Sequence, residues 1–273
     1  MILSFAPSGL PATLLAASSL VALLAYGAAA LTPETTDGAK LRGLLVMAWL
    51  AHLAALVLDI AGLGLARPGA RFGFAPALSM TLWLVLAVYM VESRFVPLPG
   101  ARRVLAVLAA LAVLLAWGFP GESRPLAVSP WAPLHWVMGL ASYGLFGVAV
   151  LHAVMLNRAE RQMRLKSSKG QTGMPLLRLE RLTFQFVGAG VVVLSLALLL
   201  GWWFTPHWRW DHKNLLSMLG WLVLTGLLTG RRVFGWRGRR ATRWLYFGAA
   251  LLLLAYAGSR FVLEVLLQRS AGY

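Results

Sequence analysis

The sequence contains no cysteine among its 273 residues. Disulfides, thiolate catalysis, iron–sulfur ligation and CxxC redox relays are therefore excluded for the residues of this chain. Charged residues are also scarce, at 12%, which is about half of the share found in soluble domains. Since 59% of the residues are apolar, most of the chain is expected to face lipid or other apolar helices.

Acidic residues are the rarest charged class, with nine Asp and Glu against 25 Lys and Arg. The resulting net charge of +16 could indicate nucleic-acid binding, but here the basic residues occur in short clusters between apolar runs. That pattern is typical of membrane-protein loops beside anionic lipid, so we expect membrane lipid and no nucleic acid as partner. The sequence has no glycine-rich phosphate loop and no GxSxG motif, and nothing in it indicates an enzyme.

Apolar runs of membrane-spanning length predict an all-α fold, a polytopic integral membrane helix bundle of about eight transmembrane helices. We expect one transmembrane domain over residues 1–273, and we expect the first helix to be retained because no basic segment precedes it. The predicted spans are 10–31, 41–65, 74–92, 101–118, 133–156, 182–204, 213–230 and 241–266.

The distribution of Lys and Arg predicts the orientation. With the N-terminus outside, the inner loops carry 18 basic residues and the outer segments carry six. Because positive residues collect on the cytoplasmic side, the sequence predicts an N-out, C-out topology. The basic inner loop 158–181 is expected to form a helix extension, a flexible turn and a second helix start, either contacting lipid or docking a cytoplasmic partner.

An outer segment, GWWFTPHWRWDHKN (201–214), holds four tryptophans and two histidines. Tryptophan is enriched at every membrane interface, but it also supplies large apolar faces on which a flat macrocycle can stack. Asp211 precedes the seventh predicted helix, where its carboxylate can accept hydrogen bonds from free N–H groups. Both an interfacial belt and a ligand platform stay open for this segment.

Five histidines offer candidate ligands, and their positions separate them. His135, at the outer start of the fifth predicted helix, can converge with His207 and His212. His152 lies 17 residues further along the same helix, about 25 Å deeper, and cannot share that site. His52, inside the second predicted helix, is either a haem or metal ligand or a neutral partner in one interhelical hydrogen bond.

Asp59 and Arg260 are predicted to lie inside spans at similar depth and carry opposite charge. An ion pair between them is one interpretation. The other is that Arg260 binds an anionic ligand group such as a propionate, because guanidinium binds carboxylates bidentately.

Several motifs of the C-terminal half together resemble the cytochrome c assembly family, and in particular its short CcsA/HemX-like branch of YpjD-type inner-membrane proteins. The resemblance extends over roughly residues 130–265. The motifs are LHWVMGLASYGLF (134–146), LLRLERLTFQFVGAGVVVLSLALLLGWW (176–203), WDHKNLLSMLGWLVLTGLLTGR (210–231), GWRGRRA (235–241) and AYAGSRFV (255–262).

In the larger haem-handling members of that family, haem lies against a tryptophan-rich outer loop and flanking histidines ligate the iron. The resemblance therefore implies a platform for haem and places His135 at the histidine that precedes it. No histidine follows His212, so His207 or His212 would substitute for the ligand expected beyond the platform. The implied platform residues are Trp202, Trp203, Trp208, Trp210 and Asp211.

The resemblance thus implies a multi-pass protein of the bacterial inner membrane that binds or passes haem at the outer face during cytochrome c maturation, without catalysing the chemistry. Its partners would be haem, lipid, and an apocytochrome or partner membrane protein. Two alternatives stay open. One is a non-enzymatic scaffold or regulatory subunit that binds a partner membrane protein, and the other is a small-solute transporter that uses the region of Asp59 and Arg260.

Overall fold

The fold is taken from a computed structural model of the chain. The structure describes residues 9–33, 36–62, 70–94, 100–124, 129–165, 175–205, 210–262 and 265.

Eight long helices dominate the described residues, which confirms the prediction of an all-α polytopic bundle. Seven helical segments are long and apolar enough to cross a membrane: α1 to α6, and the continuous segment Gly238–Phe261. The eighth, α7, is 23 residues long and has two arginines in its last turn. The bounds are α1 Leu10–Leu31, α2 Gly38–Ile60, α3 Phe74–Glu92, α4 Ala101–Gly118, α5 Ala132–Arg164, α6 Leu176–Phe204, α7 His212–Phe234 and α8 Gly238–Leu253, followed by a π-helical turn Leu254–Gly258 and the short α9 Ser259–Phe261.

Two short strands, which the sequence did not predict, join the α2–α3 connection to the α4–α5 connection. β1 (Ala70–Phe72) pairs antiparallel with β2 (Glu122–Arg124). Gly121 precedes β2 because a Cβ at that position would lie 2.5 Å from the backbone of Phe72. The pairing places these two connections at the same end of the helices.

Helices α1 to α4 form the first compact unit, together with the two strands and residues 260–262. Each of the four helices packs against two others. Arg102, at the start of α4, donates from its guanidinium to the carbonyl oxygens of Ala29 and Thr32, both at 2.8 Å, and so binds the end of α1. Trp49 and Trp83 each donate an indole N–H to the other's backbone carbonyl at 3.1 Å, with stacked rings, and so join α2 to α3.

Helices α5 to α8 and the π-helical turn form the second unit, whose core lies between α5, α6, α7 and α8. The helices approach closely where glycine leaves room. A Cβ on Gly190 would lie 2.7 Å from the ring of Phe146, and one on Gly248 would lie 2.6 Å from Leu224. That the two units make one domain over 1–273 stays a prediction.

Candidate functional site

His135 occupies the first turn of α5, where that helix packs against the end of α6. Its Nδ1–H donates to the carbonyl oxygen of Ala197 at 2.8 Å. Because a carbonyl only accepts, this bond assigns the proton of the neutral imidazole to Nδ1 and leaves a lone pair on Nε2. Among the described residues Nε2 has no hydrogen-bond partner, so the ring is oriented with one nitrogen available for a ligand.

Gly201 provides the space in which this imidazole lies. A Cβ built on Gly201 would meet Cε1 of His135 at 2.8 Å and Nδ1 at 3.1 Å. The ring of Phe204 packs edge-on against the imidazole from one turn further, with the centroids 5.6 Å apart. Sequence reasoning missed Gly201 as a site residue, although it directly precedes the two tryptophans of the segment.

Three tryptophans present wide apolar surface at the end of α6 and just before α7. Trp202 and Trp203, in the last turn of α6, are 65% and 80% exposed, and Trp210, just before α7, is 66% exposed. All three belong to the platform that the resemblance implied. Exposed apolar surface of this size marks a region that lies in lipid or binds an apolar partner.

Asp211 forms the helix cap that the sequence predicted. Its carboxylate accepts from the backbone N–H of Asn214 at 2.8 Å, at the N-terminus of α7. His212 is the first residue of α7 and is exposed. His207, Trp208 and Arg209, which the sequence assigned to the same segment, lie outside the described residues.

Lys213 adds a positive charge that the sequence-based site did not include. Its ammonium lies 5.7 Å from the ring centroid of Tyr256. Tyr256 belongs to the π-helical turn, and Tyr143 of α5 donates to the carbonyl oxygen of Leu252 just before it at 2.7 Å. π-helical turns are often found at functional positions, because they shift one side chain out of the helical register. Here the shifted segment carries Tyr256.

His52 lies in the first unit and is fully buried. Its Nδ1 shares a hydrogen bond with the hydroxyl of Tyr26 at 3.1 Å, and its Nε2 shares one with the hydroxyl of Ser79 at 2.7 Å. The imidazole therefore connects α1, α2 and α3 through both nitrogens. Metal ligation by His52 would require one of these bonds to break, so the geometry favours the hydrogen-bonding interpretation.

Asp59 is buried at the end of α2, and its ion pair is formed with Arg71 of β1 at 3.3 Å. Arg71 also donates from Nε to the carbonyl oxygen of Gly121 at 3.1 Å. Arg71 is one of the six basic residues that the sequence assigned to outer segments. Sequence reasoning missed it as a partner of Asp59, because the pairing of β1 with β2 is not evident from the sequence. Arg260 is buried in the same unit, next to Phe261, whose ring packs edge-on against Phe74.

Within the described part of the chain, no three His, Asp or Glu side chains come together as a metal-binding group. The candidate site is therefore described as one oriented imidazole at the start of α5, with exposed tryptophans at the end of α6 and before α7, and a lysine in the first turn of α7. This arrangement provides a single ligand atom, apolar stacking surface and a positive charge.

A family model described as cytochrome C assembly protein matches residues 70–267. The inner membrane protein YpjD of Escherichia coli strain K12 is 33% identical over 169 residues, which are 60% of this chain and 64% of the relative. The chain thus spans just under two thirds of that relative's length. No solved structure matches the chain.

Two further relatives extend the comparison. An uncharacterized 28.8 kDa protein from Azospirillum brasilense is 30% identical over 206 residues, covering 70% of this chain and 76% of the relative. The cytochrome c biogenesis protein CcsA of Guillardia theta is 25% identical over 161 residues, covering 50% of this chain and 53% of the relative.

Proposed function

Because this chain belongs to the cytochrome c assembly family, which supports a role in cytochrome c maturation, we propose that it binds haem and passes it on at the outer face of the bacterial inner membrane. The observation that carries the proposal is the imidazole of His135. The hydrogen bond from Nδ1 to Ala197 leaves Nε2 as the ligand nitrogen. Metal-binding histidines usually donate their second N–H in this way, which fixes the ring and raises the basicity of the ligand.

Trp202, Trp203 and Trp210 support a flat apolar cargo. Their indoles present exposed faces at the end of α6 and the start of α7, on either side of the short connection between the two helices. Aromatic faces stack on a macrocycle in the offset geometry that aromatic pairs prefer. The same tryptophans anchor the helix ends at the interface, so the two roles use one surface.

Lys213 supports a cargo with carboxylate groups. It lies in the first turn of α7, within the tryptophan-rich segment 201–214, where an ammonium would neutralise a propionate of a macrocycle bound at this end. His212, exposed at the start of α7, is the second ligand that the described residues offer at this end of the unit. The role of Arg260 toward an anionic group, and those of His52 and His207 as ligands, stay predictions.

The chain would act by binding and orientation and not as an enzyme. Bound haem would supply the vinyl groups and the iron, while His135 would hold the iron and the tryptophans would exclude water from one face. With no cysteine in the chain, any thiol would come from an apocytochrome or a partner membrane protein. The proposed role is therefore to hold haem for a partner that carries the thiols.

A hemin titration of the purified full-length chain tests the proposal. Haem ligated by histidine gives a Soret band whose position reports the axial ligand. We expect saturable binding with a histidine-type spectrum, and His135→Ala should weaken hemin binding by about tenfold or more and shift the band. In His135→Gly, added imidazole should restore the original band, because the space left beside Gly201 accepts the free ligand.

His152→Ala is the matched control, since it removes a histidine from the same helix at a position packed against Phe186. It should leave the Soret band in place. His212→Ala identifies the second ligand, by converting a six-coordinate spectrum to a five-coordinate one. A preparation that takes up no hemin, or a band unchanged in His135→Ala, contradicts the proposal.

A further inference from the structure

The α7–α8 corner (residues 234–247) lies at the opposite end of these helices from Asp211 and Tyr256. Gly235 and Gly238 both have positive φ, 64° and 58°, and allow the chain to reverse within three residues. Gly230 has no Cβ, and one built there would lie 2.6 Å from the indole of Trp236. The corner is thus a compact turn with an indole packed onto the last turn of α7.

Four aromatic rings follow one another along the corner. Trp236 stacks with Phe234 at 6.1 Å and with Trp244 at 6.4 Å, and Trp244 contacts Phe247 edge-on at 6.2 Å, all between ring centroids. Phe234 is 71% exposed, and Trp244 and Phe247 are also exposed. This row of rings therefore forms an apolar surface on the outside of the unit.

Four exposed arginines share the corner with these rings. The guanidinium of Arg240 lies 4.5 Å from the ring centroid of Trp236. Among the described residues, none of the four forms an ion pair. By contrast, Arg231 in the last turn of α7 is held by Glu180 at 2.8 Å and lies over the ring of Phe184. The four exposed arginines are Arg237, Arg239, Arg240 and Arg243.

The charge balance of the corner is strongly positive. The first turn of α8 has no acidic residue. In the described part of the chain, Glu160 brings a carboxylate close to the corner, since a Cβ on Gly238 would lie 3.6 Å from its Oε1. One negative charge thus offsets four positive charges, and the backbone N–H groups at the start of α8 add to the positive potential.

We propose that the α7–α8 corner is a binding site for the headgroup of an anionic phospholipid, with the phosphate on the arginines and the acyl chains along the aromatic row. Arginine guanidinium binds phosphate bidentately, and a guanidinium stacked on an indole is already oriented for that contact. The apolar rings directly beside the arginines fit the acyl chains, which a free phosphate or an acidic peptide does not have. The site is separate from His135 and does not depend on haem.

Native mass spectrometry of the full-length chain in detergent tests the site. The probes are phosphatidylglycerol and phosphatidylcholine with the same acyl chains. We expect the wild-type chain to bind phosphatidylglycerol more tightly. Exchange of Arg239, Arg240 and Arg243 for Gln should weaken phosphatidylglycerol binding by about tenfold while phosphatidylcholine binding is unchanged.

The matched control exchanges three exposed arginines at the end of α5, Arg158, Arg161 and Arg164, for Gln. It removes the same charge from the same end of the unit and should keep phosphatidylglycerol binding within about twofold of wild type. Equal losses in both triple variants would show unspecific attraction and overturn the proposal. If the corner triple variant fails to fold, Arg240→Gln alone decides: about threefold weaker binding supports the site, and wild-type binding overturns it.

Two competitors distinguish a lipid site from a site for a free anion and from a docking surface for an acidic protein. Inorganic phosphate at millimolar concentration, or a poly-glutamate peptide, should leave the phosphatidylglycerol adduct in place, because neither can use the aromatic row. Displacement by phosphate would identify a free-anion site, and displacement by the peptide would identify a protein-docking surface. Either displacement overturns the lipid assignment.

Discussion

The imidazole of His135 is positioned by two groups that carry no side-chain chemistry. The carbonyl oxygen of Ala197 accepts a hydrogen bond from Nδ1–H, and the absence of a Cβ on Gly201 leaves space for the ring. Both belong to α6, so the ligand comes from one helix and its orientation from another. A change in either α6 residue therefore acts on haem binding without removing a ligand atom.

Gly201→Ala should weaken hemin binding by about tenfold or more, because a methyl group 2.8 Å from Cε1 forces the imidazole away from Ala197. The overpacking should also cost about 1–3 kcal/mol of unfolding free energy. Hemin titration and thermal unfolding in detergent measure the two effects.

Gly188→Ala is the control, since Gly188 lies on the same helix and a Cβ there meets nothing within 4 Å. It should bind hemin as wild type and gain helix stability of up to about 0.8 kcal/mol. Equal hemin affinity in both variants would show that Gly201 does not position the imidazole.

Ser79→Ala tests the hydrogen-bonding role of His52. The change leaves Nε2 of a fully buried imidazole without its 2.7 Å partner, which should cost about 1 kcal/mol of unfolding free energy. If His52 serves only to join helices, the Soret band should be unchanged in Ser79→Ala and also in His52→Ala. Loss of the band in His52→Ala would instead identify His52 as a ligand.

The part of the candidate site that sequence could predict consists of rare, chemically distinct residues. His135, the tryptophans and Asp211 stand out by type and by position at helix ends. Gly201, Ala197 and Lys213 contribute space, a backbone carbonyl and a charge in the first turn of α7, which depend on how α5, α6 and α7 cross. A local sequence pattern does not predict how helices cross, so these three residues could not be assigned to the site from the sequence.

At the scale of elements, the helix bounds show where sequence is informative. α1, α3 and α4 have the predicted bounds, because prolines, glycines or charges end their apolar runs sharply. α2 ends at Ile60, earlier than predicted, because Gly62 has φ 59° and stops the helix.

α5 extends beyond its predicted membrane span, as the expected helix extension at residue 158 implies. Its apolar run ends near residue 156, but the helix continues to Arg164. The added turns alternate charged residues with buried ones such as Ala159, and therefore keep one face packed after the lipid-facing residues have ended. The length of an apolar run therefore predicts the extent of the membrane span, and the helix itself can be longer. The basic loop 158–181 thus contains two helix ends, as the sequence predicted, with residues 166–174 outside the described part.

The start of α7 carries an element-scale prediction. Asp211→Ala removes the acceptor for the N–H of Asn214 and should lower the unfolding free energy by about 1 kcal/mol, whereas Asp211→Asn should retain most of it. Thermal unfolding in detergent compares the variants. If Asp211→Asn loses hemin binding while its stability is kept, Asp211 contacts the cargo in addition to capping the helix.

At the scale of the whole molecule, each unit contains contacts that join helix ends or connections lying at the same end of its helices. In the first unit, β1 and β2 join the α2–α3 and α4–α5 connections. In the second, the start of α5 meets the end of α6 through His135, and the end of α7 meets the start of α6 through Arg231. These pairings agree with alternating passage across a membrane, while the N-out, C-out orientation remains a prediction from charge.

Truncation fusions test that orientation. A phosphatase that is active only outside the inner membrane should be active when fused after Ser129 and inactive when fused after Arg94 or Leu165. A cytoplasmic fluorescent reporter at the same three positions should give the complementary result. The reverse pattern would place the candidate haem site on the cytoplasmic face and contradict the proposed function.

The glycines of the second unit have a genetic consequence. Every missense change of a glycine codon adds a Cβ. Where a neighbouring side chain fills the space beside the glycine, this first atom already collides with it, whatever the rest of the new side chain is. At Gly190, Gly201, Gly220, Gly230 and Gly248 that atom would lie within 3.0 Å of a neighbour, whereas at Gly139, Gly188 and Gly226 it would meet nothing within 4 Å. In saturation mutagenesis, the first group of positions should therefore tolerate few substitutions and the second group many. This difference should not depend on the chemical type of the new side chain. The intolerant codons would then trace, from growth data alone, where the helices touch.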